Sequence, residues 1–246
     1  LSHWKRMRHI IIGDIHGCYA ELMDLLQKVG PGDSDRIVSV GDMVNRGPAT
    51  EKVLRFFRDE PNATAVLGNH EWEHIEAWFA RESLPPAHAA ARERLGADYG
   101  EWIDWLTTLP VHLELPEALI VHGMLEPGMT VAAQQDSVML GTAAGEKYMR
   151  LRYPGLWYEH YLQAAHQHSL QSQVFAHSQP TVRGPSESKP LIVGHHDYLR
   201  TGEPLVREGR LYAIDTGCVR GGRLTALVLP ELQVVSVPAH SHHWPP

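Results

Sequence analysis

Cysteine is almost missing from the chain: Cys18 and Cys218 are the only two among 246 residues. So few, lying so far apart, exclude a disulfide framework and suit a reducing cytoplasm, with a single bridge between them as the alternative. No apolar run approaches the roughly 18 residues of a membrane span, so no membrane attachment is expected. Positive charge is scarce too, with 22 Lys and Arg against 29 Asp and Glu and a formal net charge of -7. That argues against binding along a nucleic-acid backbone, which calls for a basic surplus on one face. Any phosphate chemistry must therefore draw its positive charge locally. Internal repeats and low-complexity linkers are also lacking. The hydrophobic share, 43%, is ordinary for a soluble globular protein, and the length suffices for one well-filled core.

What is present is an alternation of apolar runs and helical periods. The opening LSHWKRMR, residues 1–8, reads as an expression remnant or frayed arm, with Met7 as a candidate natural start. After HIII at 9–12, Leu22, Leu25, Leu26 and Val29 recur at helical spacing and are stopped by Gly30 and Pro31. RIVSV at 36–40, a helix in TEKVLRFFRDE and ATAVLG at 63–68 complete a strand, helix, strand, helix, strand order. That order predicts a parallel α/β sheet. A helical, tryptophan-rich insertion covers about 72–118 and ends in the strand ALIV, and a second insertion covers about 126–178. PLIV, RLYAID, RLTALVLP and QVVSVPA close the chain as short strands with glycine turns, which suggests an antiparallel portion. One domain over 9–238, with two helical insertions and a tail at 239–246, is the simplest organisation.

Chemistry gathers where the strands end. The five ends read GDIHG at 13–17, GDMVNRG at 41–47, GNHE at 68–71, VHG at 121–123 and GHH at 194–196. Ligand sites of open α/β sheets lie beyond the carboxyl ends of their strands, so these loops should converge. Asp14, His16, Asp42, Asn69, His122 and His195 would then meet. In extended chain Asp14 and His16 share a face while Ile15 turns to the core. Carboxylate, imidazole and amide donors together suit borderline divalent ions: manganese first, with iron, zinc, nickel or cobalt as alternatives. Six donors can serve two ions, with Asp14 and His16 on one, Asn69, His122 and His195 on the other, and Asp42 bridging. Two ions roughly 3.5 to 4 Å apart can hold a hydroxide at neutral pH and stabilise an in-line displacement.

The ordered set GDIHG, GDMVNRG, GNHE, HG, GH and a late DTG resembles the phosphoprotein-phosphatase type of metallophosphoesterase, also called calcineurin-like phosphoesterases, from about residue 10 to 229. The resemblance implies a β-sandwich flanked by helices, with a binuclear metal centre at its edge and metal roles for the same six residues. It implies that Arg46 grips the substrate phosphate and that His70 protonates the leaving oxygen. Two positions depart from the protein-phosphatase pattern. Asn45 stands where those enzymes carry the Asp that charges the acid histidine; it can accept a hydrogen bond from His70 but supplies no charge, so His70 should titrate lower. Leu67 stands where they carry Arg, so the second phosphate grip is reduced or comes from elsewhere, with Arg150, Arg152, Arg183 and Arg220 as candidates. VLGNHE, GDMVNRGP and IDTGCVRGGRLTAL look more like the symmetrical diadenosine tetraphosphatases and their bacterial relatives. The expected function is thus a cytoplasmic hydrolase of phosphoester or phosphoanhydride bonds, acting on a phosphorylated small molecule such as a nucleoside polyphosphate. A serine/threonine or tyrosine phosphatase acting on phosphoproteins is the alternative. A binding module without catalysis would have shown missing ligands.

Other features have plainer readings. Trp72, Trp78, Phe79, Tyr99, Trp102 and Trp105 sit at helical spacing and read as core rather than a stacking surface for a base. His196 should face away from His195 in extended chain, Asp215 reads as a turn former or a carboxylate behind the ligands, and HSHHW at 240–244 reads as a disordered tail.

Overall fold

The computed structural model describes residues 7–175 and 189–244, and the side chains of 168–175 are left aside. The first strand, β1 (His9–Ile12), is buried along both faces, as an uninterrupted isoleucine run requires. It leads into α1 (Tyr19–Val29), which buries Leu22, Leu25 and Leu26 and ends where Gly30, at φ 60°, donates its N–H to the Leu26 carbonyl. β2 (Arg36–Ser39), α2 (Thr50–Asp59) and β3 (Ala63–Ala65) follow, and β1, β2 and β3 pair in parallel as expected. The first insertion forms α3 (Asn69–Ala80), α4 (Pro86–Leu95) and α5 (Tyr99–Leu106). Pro86 opens α4 in the first turn, where its missing N–H costs nothing. The insertion also holds β4 (His112–Glu114), a polar strand without apolar alternation that pairs antiparallel with β5 (Leu119–Val121).

The second insertion contributes α6 (Asp136–Met139), α7 (Ala143–Arg152) and α8 (Trp157–Phe175). β6 (Leu191–Val193), β7 (Leu205–Arg207), β8 (Leu211–Ala213), β9 (Arg223–Leu229) and β10 (Gln233–Pro238) complete the chain. The strands make two five-stranded sheets, ordered β10-β9-β1-β2-β3 and β4-β5-β6-β8-β7. The expected antiparallel ending holds for β7 with β8 and for β9 with β10, but β6 and β8 run parallel because β7 occupies the connection as a hairpin arm. Ile11, Val38, Ile120, Ile192, Tyr212 and Leu227 fill the space between the sheets. Helices cover both outer faces, so the architecture is a sandwich flanked by helices.

Two expectations change. Trp102 and Tyr99 are core, and Trp72 and Trp105 pack against it, but Trp78 is 40% and Phe79 65% exposed. The tail is ordered: His240 N–H donates to Glu21, the N–H groups of His243 and Trp244 donate to the Val219 carbonyl, and Trp244 packs on the core.

Candidate active site

The carboxyl ends of β1, β2, β3, β5 and β6 carry all six predicted donors to one place. Backbone geometry does this differently from an extended chain. His16 (φ 45°), Asp42 (51°), Asn45 (69°), Arg46 (60°) and His195 (71°) all take left-handed conformations. Five such non-glycine residues in one site are held only where the surroundings over-determine them. The same bend at His195 brings His196 round, so both imidazoles reach the Glu146 Oε1, at 2.9 and 3.1 Å, instead of facing apart.

Asp42 lies at the centre. Its Oδ2 is 3.4 Å from His16 Nε2 and its Oδ1 3.4 Å from His122 Nε2. Asn69 Oδ1 is 3.1 Å from both His122 Nε2 and His195 Nδ1. Asp14, buried, accepts the His195 N–H on its carboxylate. Burial, then the Asp215 carboxylate, pushes Asp14 well above the usual carboxylate range. Asp42 falls well below that range because His122, His70 and His16 outweigh its burial. Burial lowers His16 to about 3, whereas for His122 the same penalty is overcome by Asp42, which raises it to about 10.

This donor set fits divalent metal ions. His16 and His122 each use Nδ1–H on a backbone carbonyl, Val44 at 2.8 Å and Val40 at 2.9 Å, which turns Nε2 inward, the atom that the neutral ring would offer to an ion. Glu146 holds the outer nitrogen of His195 in the same manner, leaving Nδ1 inward. Stacked carboxylates at Asp14, Asp42 and Asp215 are the kind of like-charge cluster that a dication relieves.

Residues that the sequence did not single out build the frame. Glu71 accepts four backbone N–H groups, those of Gly68, Asp42, Met43 and Val44, which ties the loops after β2 and β3 together. Burial, then Asp42, raises Glu71 to about 6. The Glu at the third helical position of GNHE is a capping-box signal that reading the motif for metal ligands passes over. His88 and Glu73 carry no sequence signal, yet His88 stacks on His70 at 4.8 Å and lies 2.8 Å from Glu73.

Arg46 places Nη1 2.6 Å from His16 Nε2 and Nη2 2.7 Å from His70 Nε2. Asn45 turns its amide nitrogen, not its oxygen, to His70 Nδ1 at 2.8 Å, and gives the oxygen to His74. Among the groups around the ring, the Asp42 carboxylate, 3.8 Å from Nε2, favours the protonated form. His70 is nonetheless lowered well below the usual imidazole value, because burial, with His16, Arg46 and His88 adding to it, outweighs Asp42. Of the arginines expected to supplement the grip, Arg150 pairs with Glu146 and Arg152 with Glu126. Arg183 lies outside the described residues, while Arg220 lines the active-site groove, joined there by Arg200. Asp215 lines it too, accepting the Gly217 N–H in its own turn.

Among the described residues no helix is long and apolar enough to cross a membrane. The sequence model for calcineurin-like phosphoesterases matches residues 7–242. A symmetrical bis(5'-nucleosyl)-tetraphosphatase of Aromatoleum aromaticum is 32% identical over 93% of this chain and 96% of its own length. A crystal structure assigned as a diadenosine tetraphosphatase superposes with a TM-score of 0.68 at 27% identity, covering 97% of this chain and 96% of that one. A cold-active protein tyrosine phosphatase shares the fold, with a TM-score of 0.58 at 17% identity, covering 95% of this chain and 80% of the other. With the motif-bearing loops converged on one buried cluster and the family model spanning nearly the whole length, the chain belongs to the calcineurin-like phosphoesterases and is a hydrolase of phosphoester or phosphoanhydride bonds.

Proposed function

We propose that the chain hydrolyses nucleoside polyphosphates, cutting a dinucleoside tetraphosphate symmetrically to two nucleoside diphosphates. The observation that carries this reading is the centred position of Asp42, with His16 on one side and His122, Asn69 and His195 on the other. Asp14 and His16 would hold one divalent ion, Asn69, His122 and His195 a second, with Asp42 between them and manganese the metal expected. The ions so held would supply a hydroxide at neutral pH and offset charge on the attacking and leaving oxygens. Arg46 presents a guanidinium beside both His16 and His70, where a phosphoryl group between them would receive paired N–H donors.

The chemistry of Asn45 favours an anhydride. A nucleoside diphosphate leaves as a weak base and needs little protonation, whereas a serine or tyrosine oxygen needs a strong acid behind it. Asn45 supplies no charge to keep His70 protonated, and His70 titrates low. The tetraphosphatase relative, aligned along nearly its entire length, supports the same substrate class. This reading implies a cytoplasmic enzyme, a compartment in which the buried Cys18 and Cys218 would stay reduced.

The test is direct. Metal-stripped protein restored with manganese is incubated with diadenosine tetraphosphate, p-nitrophenyl phosphate and a phosphoserine peptide. ADP as the sole nucleotide product, abolished in Asp42→Asn, is the expected result. Turnover confined to the monoester or the peptide would replace this reading with a phosphatase.

A further inference from the structure

We propose that Arg200 and Arg220 form a cationic clamp for the phosphates beyond the one being cut, and that this clamp sets the preference for a polyphosphate chain over a monoester. The inference rests on the proposed function and deepens it. The groove lined by Asp42, Asn69 and His70 has a volume of about 770 Å³ and is lined by two turns as well. One turn, 195–202, carries Arg200; the other, 217–222, carries Arg220. A phosphate monoester uses only the inner end, beside Arg46. A longer chain of phosphates in the same groove meets the turns.

Both turns are firmly built. The second is closed by N–H bonds from Arg220 and Gly222 to the Gly217 carbonyl, each at 2.9 Å, and from Gly221 to the Cys218 carbonyl at 3.0 Å. The ordered C-terminal segment braces it, with Arg220 bridging to His242 through the backbone. The first turn is pinned where Asp197 Oδ1 accepts the Arg200 N–H at 2.7 Å. The two turns abut, because a Cβ on Gly217 would lie 3.0 Å from the Asp197 carboxylate.

The charges are sorted in a way that suits an anion. Asp197 and Asp215 spend an oxygen each on backbone N–H groups of their own turns. Neither the Arg200 nor the Arg220 guanidinium makes a hydrogen bond or ion pair among the described residues, although Asp215 lies near enough to Arg220 for its titration to be affected. Arg150 and Arg152, by contrast, are committed to carboxylates. Two exposed, unpaired guanidinium groups line one groove of a chain whose net charge is -7, and a planar fork of donors matches phosphate oxygens. Leu67, 3% exposed, adds no cation from the loop before Asn69.

The experiment compares the parent with Arg200→Ala, Arg220→Ala and the double variant, each checked by thermal melting. Two readouts are taken: kcat/KM on diadenosine tetraphosphate and p-nitrophenyl phosphate, and calorimetric binding of inorganic tripolyphosphate to the manganese-loaded protein. Charge-assisted bonds of this kind predict that the double variant loses about tenfold or more in the tetraphosphate-to-monoester ratio of kcat/KM, through KM, and as much in tripolyphosphate affinity. An unchanged ratio with unchanged tripolyphosphate binding overturns the clamp. If the parent cuts only the monoester, the proposed function fails by itself, and the tripolyphosphate titration still decides whether Arg200 and Arg220 bind a phosphate chain.

Discussion

At the scale of single residues, Asn45 sets a neutral side chain against His70. Its lack of charge was readable in GDMVNRG; that its amide nitrogen faces His70 and its oxygen serves His74 was not, because His74 and Tyr99, which is 2.8 Å from His74 Nδ1, come from the insertion. Replacing Asn45 by Asp puts a negative charge beside His70 and favours the protonated ring. The alkaline limb of the pH–rate profile should therefore move up by about one pH unit, and hydrolysis of a phosphoserine peptide, whose leaving oxygen needs the proton, should gain on that of diadenosine tetraphosphate. An unmoved limb would remove His70 from the role of acid. The three carboxylates at Asp14, Asp42 and Glu71 make the complementary point. All are buried, yet Asp42 titrates low and the others high, because only Asp42 is ringed by imidazoles.

At the scale of elements, the strands that carry motifs announced themselves and the edge strands did not. HIII, RIVS and LIV are buried on every residue but one and read as apolar runs. HLE and LVR are short and half exposed, so β4 and β7 have no pattern to show. One ion pair joins elements at the far end of the sheet from the site. Asp35, before β2, accepts from the Arg8 backbone N–H and Nε, each at 3.0 Å, and from the Gly32 N–H at 2.8 Å. Burial alone would raise Asp35, but these bonds outweigh it and hold it at about 2. Its ionised form is thus preferred in the folded state. The stabilisation, about 2 kcal/mol, is complete above about pH 4 and is lost as pH falls through about 2. Urea titrations of the parent and Asp35→Asn should differ by that amount at pH 7, and the gap should narrow steadily in acid.

For the whole molecule, the site ties the two halves of the chain together. His16, Asp42 and Asn69 come from the first sheet, His122 and His195 from the second, so the donor cluster straddles the sandwich edge. Ligands that bind only this assembled arrangement stabilise it by mass action. Removing divalent ions with a chelator should lower the melting temperature by about 5–10 °C, with manganese restoring it. The loss should be smaller in Asp42→Asn. An equal drop in that variant would mean that the metals stabilising the fold bind elsewhere.

The sequence by itself determined the ends of five strands, the six donors, and the identity of Arg46, Asn45 and His70, because apolar runs stopped by glycine and polar side chains are local signals. Only the tertiary structure decided that the strands divide into two sheets, that Glu71 ties the loops after β2 and β3, and that Glu146 holds His195 and His196. It also brought His196 to the same side as His195 and set Arg200 and Arg220 in the lining of one groove. These are contacts between residues distant in the chain, set by the left-handed bends and packing that bring the loops together, and no spacing along a single stretch records them.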